Sequence, residues 1–263
     1  MTPVFPALSV LLPLMLVCAL AFTIETALGF GATLISVALG SLFLDIDAIL
    51  HALVPLNLVL SCYLVTRNHS HIDRAFLFRR LLPFMALGLP IGIFVFAELD
   101  ASLLKRVFGA FLVGVAGLEL AQTFSRGGIK QAAQTPSKEG VSSSMPRWQE
   151  RLLLIVGGAI HGAFTTGGPM AVYVTSRVIE DKKAYRVTLS ALWALLNVVM
   201  LSWYIVDGAI EASSVGLTLA LAPSIAVGMV VGELLHNHVP VATFRQVVFA
   251  MLLLTGVMLL MRG

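Results

Sequence analysis

Residues 161–170 read HGAFTTGGPM and interrupt an apolar stretch that would otherwise pass for one membrane-spanning helix. Inside lipid, each backbone N–H and C=O must be bonded within the protein, so irregular backbone is tolerated only where it is packed in protein or lines a cavity. A second break of the same kind, IETALGFGATLIS, falls at 24–36. Apolar stretches recur near 7–24, 27–44, 48–66, 81–97, 103–123, 152–164, 168–179, 187–206, 213–235 and 241–261. The longer ones match the roughly 20 residues that a spanning helix needs. With 58% of residues hydrophobic and 12% charged, the chain reads as an all-α polytopic membrane protein and not as a soluble domain.

The N-terminal MTPVFPALSV has no Lys or Arg ahead of its apolar run, so a retained segment is expected and not a cleaved signal peptide. The 17 Lys and Arg residues are scattered among short connections, which argues against a nucleic-acid surface. Cys18 and Cys62 both lie in apolar runs; they are expected to pack as small hydrophobes, with a redox pair as the alternative.

Between the two sets of apolar runs lies SRGGIKQAAQTPSKEGVSSSMPRWQER, polar and without apolar period, which reads as a linker. It divides the chain into an N-terminal repeat (1–124), a linker (125–150) and a C-terminal repeat (151–263). The halves superpose on each other. PFMALGLPIG from Pro83 and PSIAVGMVVG from Pro223 share Pro, Gly and Gly at an offset of 140, and the same offset relates Asn57 to Asn197 and Lys105 to Arg245. TALGFGA from Thr26 aligns with GAFTTGG from Gly162 at an offset of 136, so about four residues were gained after the second break.

Positive charge gathers in cytoplasmic loops. Arg67, Arg74, Arg79 and Arg80, then Arg126, Lys130, Lys138, Arg147 and Arg151, then Arg177, Lys182, Lys183 and Arg186 can all lie inside together. The acidic connections at 45–47, 97–102 and 206–213 then lie outside, with Lys105 and Arg106 as misfits. This sidedness brings the two broken segments in from opposite faces, the inverted-repeat plan of secondary transporters. Each repeat is then a glycine-tipped pair, re-entrant or fully spanning, followed by three transmembrane helices. The linker is expected on the cytoplasmic side; the bacterial inner membrane is what the family resemblance given below implies.

If the breaks are hairpins of two half-helices, glycine allows the turn and Pro169 suits the first turn of the second arm. The N-terminus of each second arm then offers unpaired N–H groups and a positive dipole end to an anion. Close helix packing is the other reason for glycine at such places.

The motifs ETALGFG at 25–31, HGAFTTGGP at 161–169 and the Pro-Gly-Gly helices at 83–92 and 223–232 resemble the sulfite exporter TauE/SafE family over essentially the whole chain. The resemblance implies a multi-pass bacterial transporter of sulfur-containing anions such as sulfite and short organosulfonates. One departure stands out: the family's second tip usually reads G-x-G-G-P, where this chain has Thr165-Thr166-Gly167-Gly168-Pro169.

The expected substrate walls are Gly29, Phe30, Gly31, Ala32 and Thr33 on one side and Thr165, Thr166, Gly167, Gly168 and Pro169 on the other. Phe30 would meet the ligand's carbon portion or act as a thin gate. Glu25 and His161 hold equivalent places and can share or relay a proton, which would couple anion to proton movement. Alternatively, Glu25 caps the next half-helix and His161 bonds a backbone carbonyl. Asn57 and Asn197 would brace the tips through their exposed backbone groups, or simply bond between helices.

Glu119, Asp207 and Glu233 lie near segment ends, away from substrate. Trp148, Trp203 and Tyr204 suit interfacial anchoring. His69-Ser-His71 and His236-Asn-His238 lack the Cys or carboxylate spacing of a structural metal site. The sequence has no HExxH, GxSxG, phosphate-loop or dinucleotide motif, so no enzyme, cofactor or metal is expected. The partners expected are a small anion and the bilayer. An uncoupled anion channel is the functional alternative.

Overall fold

The computed structural model describes residues 6–125, 145–236 and 241–262, and among the described residues the regular structure is all helical. Residues 126–144 of the linker and His238 lie outside the described residues, as do the side chains of Glu119 and Arg245. The helices run in the order α1 (Leu8–Leu28), α2 (Ala32–Gly40), α3 (Ile46–Asn68), α4 (Arg74–Glu98), α5 (Ala101–Ser125), α6 (Arg147–Phe164), α7 (Gly168–Thr175), α8 (Lys182–Val206), α9 (Ala212–Leu235) and α10 (Val241–Arg262). Helix α4 opens with a π-helical turn at Leu77–Leu81. Helix α6 starts at Arg147, inside the stretch expected to be linker. The four residues gained after the second break appear as an extra first turn of α8, whose start lies at Lys182 where Ile46 plus the offset would give 186.

Among the described residues, five helices are long and apolar enough to cross a membrane: α1, α3, α4, α8 and α9. Their outward faces carry large apolar side chains with no protein cover, such as Leu16 at 73% and Val206 at 83% exposure. On a soluble protein so much apolar surface would drive association; here it suits hydrocarbon.

The two breaks fall where the glycines predict, but their arms are unequal. Helix α1 has 21 residues and α2 has 9; α6 has 18 and α7 has 8. At 1.5 Å per residue the long arms extend about 27–32 Å and the short arms about 12–14 Å, so a short arm cannot cross alone. A pair of matched half-helices is therefore not what forms. A Cβ placed on Gly40, at the end of α2, would lie 3.1 Å from Leu14 Cδ1 and 3.0 Å from Ile49 Cδ1. The short arm thus runs back toward the end where α1 and α3 begin.

Packing exchanges elements between the halves. Helix α1 packs on α9, α6 on α4, α3 on α8 and α5 on α10. In the α4–α6 contact, Gly88 and Gly92 face the α6 backbone around Ile155 and Ala159, while Gly158 and Gly162 face Met85 and Leu89. The missing side chains let two helix backbones touch, a gain from dispersion that lipid does not offset. Gly228 and Gly232 of α9, equivalent to Gly88 and Gly92, meet Phe22, Thr23 and Thr26 of α1 in the same way.

Polar contacts sort the connections into two ends. At one, Arg80 makes a two-pronged bond to Glu150, and the Thr188 hydroxyl accepts from the Asp73 N–H at 3.0 Å. At the other, Lys105 pairs with Asp45 at 2.9 Å, so this cation among acidic connections has a local partner. Tyr204, expected at an interface, is instead buried edge-on against His51. Cys18 is buried and Cys62 exposed, both as free thiols, so the redox pair does not form.

Candidate functional site

Each long arm ends in a left-handed residue. Gly29 has φ 90° and its N–H donates to Glu25 O at 2.7 Å; Thr165 has φ 51° and donates to His161 O at 2.6 Å. The left-handed conformation costs a non-glycine residue about 1–2 kcal/mol, so Thr165 occupies a position where glycine would relax the backbone. Gly31, with φ 115°, completes the first turn and starts α2.

The two tips wall one cavity of about 20 Å3. A buried water needs roughly 10–15 Å3 on the same measure, so the space between the tips is narrow. From the first tip come Glu25, Phe30, Gly31, Thr33 and Leu34; from the second His161, Thr165, Thr166, Gly168 and Pro169; Asn57 and Trp193 complete the wall. Phe30 reaches across, its ring edge 3.7 Å from where a Cβ on Gly168 would sit. Of the expected wall residues, Gly29, Ala32 and Gly167 shape the turns without lining the cavity.

The first tip is internally satisfied. Glu25 Oε2 accepts from the Ala32 N–H at 2.6 Å, capping α2, and Glu25 Oε1 accepts from Asn57 Nδ2 at 2.9 Å. Asn197 Nδ2 donates to Asn57 Oδ1 at 2.8 Å. The asparagines thus form a side-chain chain that ends on Glu25, and the expected bonds from them to tip backbone are not made. Trp193 Nε1 donates to the Gly29 carbonyl at 2.9 Å, using the orphaned end of α1.

The second tip is not satisfied. His161 is 2% exposed, Thr165 4% and Thr166 3%, yet neither ring nitrogen of His161 and neither hydroxyl has a hydrogen-bond partner. The backbone carbonyl expected for His161 is not bonded. Its ring stacks instead on Trp193, with centroids 5.7 Å apart at 14°. No hydrogen bond joins His161 to Glu25, although both face the cavity.

Two contributors escaped the sequence reading. Trp193 ties one tip by a hydrogen bond and the other by stacking. Arg186, counted with a basic loop, is buried at 5%; its Nη1 donates to the Thr26 carbonyl at 2.9 Å and to Glu233 at 3.2 Å. Glu233 therefore braces the first tip from behind and is no bystander at a helix end. The signal lay in spacing, since Arg186, Ser190, Trp193 and Asn197 share one face of α8. His236, at the end of α9, adds an Nδ1–H bond to the Ala27 carbonyl at 2.7 Å. Its pKa is lowered, first by burial and then by Arg186 and Lys182, against the pull of Ala27 and Glu233.

The chain is 23% identical over 180 residues to the probable inner membrane transporter protein TsaS of Comamonas testosteroni, covering 68% of this chain and 69% of that one. No solved structure matches. The sequence pattern of the sulfite exporter TauE/SafE family matches residues 14–259, nearly the full length, and the chain belongs to that family.

Proposed function

We propose that this membrane transporter homologue moves small sulfur-containing anions, sulfite or a short organosulfonate, held between the two glycine tips near the bilayer midplane. The observation that carries the reading is the convergence of His161, Thr165 and Thr166, buried and unpartnered, on a cavity walled by both tips. Buried polar groups are rarely left unbonded, and their place at a helix N-terminus suits an oxyanion.

The two halves act as inverted repeats, 1–124 and 151–263, that rock against each other around the site. The exchanged packing of α1 with α9 and α4 with α6 supports this plan. The basic end, with Arg80, Arg151, Lys182 and the linker, faces the cytoplasm of a bacterial inner membrane. Glu25 and His161 carry the coupled proton, since they are the ionisable side chains in the cavity wall.

Purified protein in proteoliposomes, screened with sulfite, sulfate, sulfoacetate, taurine and carboxylates, tests the reading. Saturable sulfite flux that responds to a pH gradient is expected. The missing hydrogen bond between Glu25 and His161 favours one rival, an uncoupled anion channel. That rival predicts flux indifferent to the gradient.

A further inference from the structure

The two tips are built alike but filled differently. In the repeat alignment Glu25 corresponds to His161 and Ala32 to Gly168. Both long arms close with the same N–H bond, from Gly29 to Glu25 O and from Thr165 to His161 O. At the first tip, the station in front of the short arm is taken by a carboxylate, because Glu25 Oε2 accepts the Ala32 N–H at 2.6 Å. A carboxylate at the positive end of a helix is a bound anion, supplied here by the chain itself. At the second tip the equivalent residue is His161, whose side chain lines the same cavity wall as Gly168. Among the described residues, no side chain accepts from the Gly168 N–H, and three polar side chains around it lack partners.

We propose that the site holds one anion and holds it on one side: the oxyanion docks at the Gly168 end of α7, against His161, Thr165 and Thr166, in the place that Glu25 occupies at α2. The inference rests on the transport reading above. The ligand class is a compact oxyanion with two or three acceptor oxygens, enough to engage both hydroxyls and an imidazole N–H together. Glu25 already fills the equivalent place in front of α2, so the stoichiometry is one. The departure from the family's G-x-G-G-P tip gains a purpose, since Thr165 contributes a hydroxyl in exchange for backbone strain.

His161→Glu tests this by rebuilding the first tip's arrangement at the second. Full-length protein is titrated with sulfite, and binding is followed by calorimetry and by ligand-induced thermal stabilisation, with monodisperse elution as the check of folding. His161→Glu is expected to fold and to lose saturable sulfite binding. Thr166→Val is expected to bind at least about tenfold more weakly, the value of one hydrogen bond to a charged group, and His161→Gln, which keeps an N–H donor and adds no charge, to bind more weakly than the wild type yet still saturably. If His161→Glu does not fold, Thr166→Val decides alone. Wild-type binding by Thr166→Val, or by a folded His161→Glu, overturns the one-sided docking while leaving the transport reading intact. If no anion binds the wild type, both fall together.

Discussion

Asn57 and Asn197, 140 residues apart and equivalent in the two halves, are bonded to each other through their side chains at 2.8 Å. In the inverted-repeat plan proposed above, two equivalent residues touch only near the axis that exchanges their halves, so this amide pair would mark its centre. It also carries Glu25, through Asn57 Nδ2. Asn57→Leu strands both Glu25 Oε1 and Asn197 and is expected to destabilise by about 1–3 kcal/mol, whereas Asn197→Leu costs about 1 kcal/mol or less. Equilibrium unfolding in detergent, run as a double-mutant cycle, would measure both. Equal effects would contradict the chain as drawn.

The α4–α6 contact predicts a steep steric rule. Gly92→Ala places a methyl into the Ala159 carbonyl, and Gly88→Ala into that of Ile155. Backbone cannot yield as a flexible side chain does, so the helices must part; a loss of about 2–4 kcal/mol is expected, comparable to overpacking a core. Gly114→Ala on α5, where nothing lies within 4 Å, should change stability by less than about 1 kcal/mol. Yield of folded protein and melting temperature distinguish them.

Glu25→Gln keeps an acceptor for the Ala32 N–H and removes the charge. Sulfite flux should persist while its stimulation by a pH gradient disappears. Flux assays across gradients of either sign read this directly, and a variant with unaltered pH dependence would remove Glu25 from any proton pathway.

His236 predicts a pH effect outside the membrane segments. Its folded pKa lies below the unfolded value of about 6.5, so the unfolded chain takes up more protons as pH falls. Its contribution is complete above the unfolded pKa and is lost progressively as pH drops from about 6.5 toward the folded value. Melting temperature measured between pH 8 and pH 5 should therefore fall less in His236→Gln than in the wild type.

The sequence made the breaks legible because Gly29 with Gly31, and Gly167 with Gly168 and Pro169, crowd together between two apolar runs, whereas the packing glycines of α4, α6 and α9 stand apart at helical spacing; it paired Asn57 with Asn197 because the offset held through both halves. Arm length was not legible, since Gly29 marks where one helix stops and Gly167 where another begins, and neither says how far the next one runs. Trp193 was missed because its counterpart is Leu53, and a repeat comparison draws attention to what the halves share. Arg186 was hidden by Lys182 and Lys183 beside it, which suggested a solvated loop. His161 was read either as a proton partner of Glu25 or as bonded to a backbone carbonyl; the stacking on Trp193 depends on α8, which no local pattern around 161 announces.

The most direct measurement uses Trp193, whose indole lines the cavity. With Trp148 and Trp203 replaced by Phe, it is the single tryptophan left. Sulfite titration should then give a saturable change in its fluorescence, at concentrations that match half-maximal flux. Saturable sulfite flux through this variant with no change in Trp193 fluorescence would place the anion elsewhere and contradict a pocket between the tips.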